Sequence, residues 1–135
     1  MTQAEVLIQA LPYIKRYAGQ TVVVKYGGAA LEDPSMMGYF LEDVAQMKIH
    51  GIHIVLVHGG GKFLSQWMNE KKLPVVFENG MRKTTAEAAE LADEVFAEIN
   101  QQICLKLTEF GVEAQGLIHG DCVHATLINP GDPEN

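Results

Sequence analysis

The sequence predicts an α/β fold built on a mostly parallel central sheet. Three observations predict it. Two β-branched runs, TVVVKY at 21–26 and IHIVLV at 52–57, each break into glycines, at Gly27-Gly28 and, after His58, at Gly59-Gly60-Gly61. Val22 to Val24 and Ile54 to Val57 do not alternate with polar residues, which is the pattern of strands buried on both faces. Between the runs lies an amphipathic stretch of helical length, completing a β-α-β unit with a right-handed crossover and parallel strands. Both glycine turns then leave the sheet at its C-terminal edge, where open α/β sheets bind ligands.

Each element has its own warrant. Residues 3–18 place Leu7, Leu11, Ile14 and Ala18 on one stripe, with Gly19 as a stop. Pro12 lies inside that pattern, and its missing donor predicts a kink or a restart there. Coming before the first strand, this helix either covers the chain's own core or packs on a neighbour. Lys25, at the end of the first strand, must snorkel outward or meet an anion, because an unpaired buried charge is costly. Asp33 and Pro34 form a cap and first-turn pair. Met37, Phe40, Leu41, Val44 and Met47 then recur at helical spacing to Gly51. After the second strand, Leu64, Trp67 and Met68 mark a helix over 63–72, with the three glycines at its N-terminus.

Residues 73–78 read as extended and Asn79-Gly80 as a hairpin turn. Thr84 and Glu87 read as a capping box opening the longest helix, about 39 Å at the usual rise per residue. Its expected buried stripe is Ala92, Phe96, Ile99, Ile103, Leu107 and Phe110, with Gly111 as the stop. Leu91 and Val95 fall off that stripe and suit an interface. Residues 113–119 and 122–129 read as two strands joined across Gly120-Asp121. The segment 130–135, rich in Pro, Gly and acid, reads as a tail or a loop cut mid-way.

Composition limits the function classes. The chain has ordinary globular proportions, 47% hydrophobic and 20% charged. A net charge of −7 argues against a nucleic-acid partner, so any anionic ligand has to be held by local features. Cys104 and Cys122 are expected as reduced thiols. No run approaches the roughly 20 apolar residues of a membrane helix, and Glu5 stands where a signal peptide wants basic residues. A cytoplasmic location is expected.

The glycine turns match neither of the two familiar phosphate motifs. A dinucleotide fingerprint starting at Gly59 requires glycine where Leu64 stands. A P-loop ending at Gly61-Lys62 requires glycine at Leu56 and Ser or Thr at Phe63. What remains is a pair of glycine turns with a lysine at one strand end. Backbone N–H groups plus one lysine supply the positioning and positive potential that phosphoryl transfer needs; the blander reading makes the glycines tight turns only. Arg82, between a turn and a helix, either grips a carboxylate through its fork or is a solvated helix-flanking arginine. His58 orients the glycine turn through a ring hydrogen bond. His119, Cys122 and His124 lack a fourth ligand and need not converge, so no metal site is expected.

Taken together, Lys25-Tyr26-Gly27-Gly28, Val57-His58-Gly59-Gly60-Gly61, Asn79-Gly80-Met81-Arg82 and Ile99-Asn100 resemble the acetylglutamate kinases of the amino acid kinase family. The resemblance spans 20–129, after an N-terminal helix at 1–19 and before the loop or tail at 130–135. It implies a three-layer α-β-α sandwich, the N-terminal, amino-acid-substrate lobe of such a kinase, with the C-terminal ATP-binding lobe absent from these residues. It also implies transfer of the ATP γ-phosphate, with Mg2+, to the side-chain carboxylate of N-acetyl-L-glutamate in arginine biosynthesis, a partial chain alone being inactive. Carried over by position, Lys25 is similar to the lysine that stabilises the transferring phosphoryl group, and Gly28 to a backbone N–H contributor. Gly60 and Gly61 are similar to the pair that cradles the substrate, and Arg82 to the clamp on its α-carboxylate. The long helix resembles a dimer-interface helix, and the N-terminal helix resembles the one that links dimers into hexamers in arginine-inhibited members. Lys83-Thr84-Thr85, Gln101 and His119 depart from the usual family residues. The alternatives are a non-catalytic N-acetylglutamate-binding or oligomerisation module, and a family member acting on another carboxylate or a carbamate.

Overall fold

The protein is described from a computed structural model, which places residues 2–27, 33–118 and 120. They divide into two compact units, Met1–His58 with Leu105–Ala114, and Gly59–Cys104 with Gln115–Asn135.

The first unit opens with α1 (Gln3–Tyr17), which runs unbroken through Pro12. Thr2 and Glu5 cap it reciprocally, Thr2 Oγ1 accepting from the Glu5 N–H at 3.3 Å and Glu5 Oε2 from the Thr2 N–H at 2.8 Å. That box holds the first turn and leaves Pro12 no role as a restart. No residue of α1 is buried. Strand β1 (Thr21–Tyr26) pairs in parallel with β2 (His53–His58), from Thr21 opposite His53 to Tyr26 opposite His58, so the two strands end level. Their starts are tied by Gly19 N–H to the Gly51 carbonyl at 2.8 Å and by His53 N–H to the Gln20 carbonyl at 2.9 Å. Between the strands, α2 (Pro34–Ile49) begins under an Asp33 cap and packs on β2, burying Leu41, Val44 and Ala45. Tyr26, 2% exposed, stacks on Phe40 with ring centroids 4.2 Å apart. A shallow groove between α1 and α2 is lined by Ile14, Phe40, Val44, Met47 and Ile52.

The parallel α/β arrangement is as expected, but the burial of its strands is not. Both alternate: Val22, Val24 and Tyr26 face the packed side with Ile54, Leu56 and His58, while Val23, Lys25, Val55 and Val57 lie exposed. Val23 is 67% exposed and Val57 48%. An uninterrupted β-branched run thus reports that both faces suit apolar cover, and the described residues cover one of them.

The second unit contains α3 (Gly61–Glu70), the hairpin of β3 (Phe77–Glu78) and β4 (Met81–Arg82), and most of α4 (Ala86–Glu109). Phe77 pairs with Arg82 and Glu78 with Met81 across Asn79 and Gly80, whose φ of 50° and 81° give the left-handed turn that Asn-Gly favours. The cap of α4 is Thr85, one residue later than the expected Thr84. Thr85 Oγ1 accepts from the Ala88 N–H at 3.2 Å, while Thr84 Oγ1 donates to the Arg82 carbonyl at 3.4 Å. Its buried stripe is Ala88, Leu91, Val95, Ile99, Ile103 and Leu107. Leu91 and Val95, expected off the stripe at an interface, are core, and Phe96, expected in the core, is 38% exposed. Gly111, at φ 78°, follows the helix end as expected. Residues 113–118 form no strand, and 122–129 lie outside the described residues.

Candidate functional site

Two features of the second unit converge: the glycine turn that opens α3 and the arginine that ends the hairpin. Gly60 is the N-cap residue of α3 and carries no side-chain cap. Its φ of −173° is extended, and none of Gly59, Gly60 or Gly61 adopts the positive φ anticipated for this turn. Glycine is required at 60 for space instead. A Cβ there would stand 2.5 Å from Phe96 Cε1 and 2.8 Å from Ile99 Cδ1, so the turn lies directly against α4. At Gly61 a Cβ would meet nothing within 4 Å. One glycine is therefore fixed by packing, while its neighbour faces open space, where backbone can approach a ligand.

Arg82 reaches this turn from β4. Its Nη2 donates to the Gly61 carbonyl at 2.8 Å and to Ser65 Oγ at 2.6 Å, and its Nη1 donates to Met68 Sδ at 3.3 Å. The Phe77 ring lies against the guanidinium, 4.7 Å from Cζ to centroid. Ser65 Oγ in turn donates to the Gly61 carbonyl at 3.0 Å. A full positive charge thus sits at the N-terminal turn of α3, where the helix dipole already favours an anion. Chemically, the arrangement suits a carboxylate or phosphate. Ser65 and Phe77 were not singled out in the sequence, and Met68 was read only as a position on the apolar stripe of its helix. The available signal for Ser65 was its place one turn beyond Gly61, on the same side of α3.

Asn100 holds the segment that follows α4. Its Nδ2 donates to the Leu117 carbonyl at 3.5 Å, and a Cβ at Gly116 would collide with its Oδ1. Cys104 Sγ lies 3.9 Å from the same oxygen, and burial pushes the Cys104 thiol above its usual range.

The other residues expected at the site belong to the first unit or lie outside the described residues. Lys25 is on the exposed side of β1, opposite Val57, in the first unit. Among the described residues no hydrogen-bonding or ionic partner reaches it. Gly28 lies outside the described residues, as do His119, Cys122 and His124. His58 closes β2, half-buried on the packed side. Among the described residues no group of three or more His, Cys, Asp or Glu side chains is placed to hold a metal ion.

The profile of the amino acid kinase family matches residues 20–130. Curated relatives include the acetylglutamate kinases of Clostridium kluyveri, 37% identical over 95% of this chain and 46% of that protein, and of Verminephrobacter eiseniae, 42% identical over 88% and 40%. The chain spans about half the length, or less, of the curated relatives it matches. Among solved structures, N-acetylglutamate synthase from Neisseria gonorrhoeae, determined with coenzyme A and N-acetyl-glutamate, superposes with a TM-score of 0.72 over 83% of this chain and 26% of that one. At 21% identity this is a likeness of fold. The structure of smu.665 from Streptococcus mutans UA159 gives a TM-score of 0.61 at 31% identity over 70% of this chain and 38% of that one.

Proposed function

Because this chain belongs to the amino acid kinase family, we propose that it is the amino-acid-substrate part of an acetylglutamate kinase, acting in arginine biosynthesis within the cytoplasm. The observation that carries the reading is the guanidinium of Arg82 at the N-terminal turn of α3, beside an unobstructed Gly61, in a chain 42% identical to one acetylglutamate kinase. N-acetyl-L-glutamate presents two carboxylates. Arg82 holds the α-carboxylate, and Gly60 and Gly61 offer backbone N–H groups to the rest of the substrate. One oxygen of the side-chain carboxylate then forms a bond to the γ-phosphorus of ATP. The bond from that phosphorus to the β–γ bridging oxygen breaks, the electron pair leaves with ADP, and an acyl phosphate results. Lys25 and the Gly28 N–H take the charge that builds on the phosphoryl oxygens. Mg2+ accompanies ATP; among the described residues no group of three or more His, Cys, Asp or Glu side chains is placed to hold it.

The exposed apolar side of α1, with Leu7 68% and Leu11 59% exposed, supports its use between subunits, in a homodimer or hexamer open to feedback inhibition by arginine. No described helix is long and apolar enough to cross a membrane.

The test is ADP release by the full-length protein supplied with ATP and N-acetyl-L-glutamate, compared with aspartate and carbamate. Turnover with N-acetyl-L-glutamate at least tenfold above either is expected, and preference for another acceptor overturns the assignment. Arg82→Ala should raise KM for N-acetyl-L-glutamate by the equivalent of about 1.5–3 kcal/mol with a smaller change in kcat. An unchanged saturation curve removes Arg82 from the site.

A further inference from the structure

A guanidinium binds a carboxylate through two parallel N–H groups, either one from Nη1 and one from Nη2, or one from Nε and one from Nη2. Both forks need Nη2. In this structure Nη2 donates to two acceptors, the Gly61 carbonyl at 2.8 Å and Ser65 Oγ at 2.6 Å. No acceptor among the described residues engages Nε. A ligand carboxylate that takes either fork therefore competes with these two acceptors for Nη2.

We propose that Ser65 is a latch on Arg82: its hydroxyl holds the position on Nη2 that one carboxylate oxygen would take, and the ligand's carboxylate displaces it. Of the two Nη2 partners, Ser65 is the one that can leave. The Gly61 carbonyl is backbone at the first residue of α3 and moves only with the helix. The serine hydroxyl leaves by rotation about one side-chain bond, giving up its 3.0 Å bond to the Gly61 carbonyl as it turns. Phe77 and Met68 hold the guanidinium in place while the exchange occurs, at 4.7 Å from ring centroid to Cζ and 3.3 Å from Nη1 to Sδ. The latch spares Arg82 from standing unsatisfied in a half-buried position, and it makes ligand binding an exchange of acceptors rather than the addition of one. It weakens every carboxylate ligand by what the serine bond contributes, so Ser65 is a positioning residue that sets affinity through Arg82.

This rests on the proposal that Arg82 clamps the α-carboxylate, and the experiment separates the two. The full-length protein and its Ser65→Ala, Ser65→Thr and Arg82→Ala variants are titrated calorimetrically with N-acetyl-L-glutamate and with its α-carboxamide. Ser65→Ala should bind N-acetyl-L-glutamate about 3- to 10-fold more tightly, the scale of one charged hydrogen bond partly replaced by water. It should not gain affinity for the α-carboxamide, a selectivity that a general loosening of α3 does not produce. Ser65→Thr, which keeps the hydroxyl, should return the affinity to the parent's. If Arg82→Ala loses binding while Ser65→Ala binds no more tightly than the parent, the latch is wrong and the clamp stands. If Arg82→Ala binds like the parent, or the parent does not bind N-acetyl-L-glutamate, the clamp is wrong and the latch falls with it.

Discussion

Gly60 and Gly61 are adjacent and chemically identical, yet they answer to different constraints. A methyl group at Gly60 would press on Phe96 and on the buried Ile99, with 2.8 Å to Ile99 Cδ1. Phe96 can rotate toward solvent, but Ile99 is held in the core. Gly60→Ala should therefore cost about 1–3 kcal/mol of stability, the usual scale of overpacking, read as a lower midpoint in urea. Gly61→Ala meets no atom within 4 Å and should leave that midpoint within about 0.5 kcal/mol of the parent. Its effect belongs on ligand binding, since its Cβ occupies the space a substrate would enter. Equal losses of stability in the two variants would show that the turn is not seated on α4 as described. The sequence pointed to the glycines as a turn between strand and helix, and to Arg82 as a clamp through the family resemblance. It did not reveal Ser65, Met68 or Phe77 as partners of Arg82, because an arginine's acceptors are set by where two distant segments meet.

At the level of elements, local signals were legible and the choice among equivalent faces was not. Asp33, Asn79-Gly80, Gly51 and Gly111 each act where short-range chemistry places them. In α4, Leu91, Ala92, Val95 and Phe96 are all apolar, so helical periodicity allows two phases of the stripe, and the neighbouring elements select one. Leu91 is 3% exposed; Leu91→Ala should thus cost about 2–4 kcal/mol, whereas Leu105→Ala, at a 59% exposed site, should change stability by about 0.5 kcal/mol or less. A small loss at Leu91 would return that residue to the interface first expected for it. The cap of α2 adds a pH dependence. Asp33 Oδ1 accepts from Ser35 Oγ at 2.6 Å, from the Ser35 N–H at 2.9 Å and from the Met36 N–H at 3.4 Å, and these bonds hold its carboxyl below the usual range. A depressed folded value means stability that is fully present above the unfolded value and disappears as pH falls through the folded one. Asp33→Asn keeps a capping oxygen without the charge. The melting temperatures of parent and variant should differ above about pH 4 and converge in stronger acid. A constant difference across that range would dissociate the carboxylate from the helix.

Across the whole molecule, the open side of the sheet and the phosphotransfer reading lead to one experiment. Val23, Val55 and Val57 present an apolar surface from which Lys25 emerges opposite Val57. The curated relatives are more than twice this length; if further residues cover that surface, the cover would strip water from the ammonium. Such a charge is tolerated only beside an anion, so a lysine kept there for catalysis should weaken the fold when no ligand is bound. Lys25→Met, of similar length and apolar, should then raise the melting temperature of the full-length, ligand-free protein by a few degrees. The same variant should lower kcat about 10²- to 10³-fold, as expected for removing a donor that stabilises transition-state charge, with KM for N-acetyl-L-glutamate nearly unchanged. The opposed signs carry the argument. A surface lysine that merely extends into solvent would leave both quantities alone, and a lysine paired within the fold would lose stability together with rate. If turnover falls without the gain in melting temperature, Lys25 acts on the phosphoryl group while still hydrated, and the apolar side of the sheet remains open to water around it.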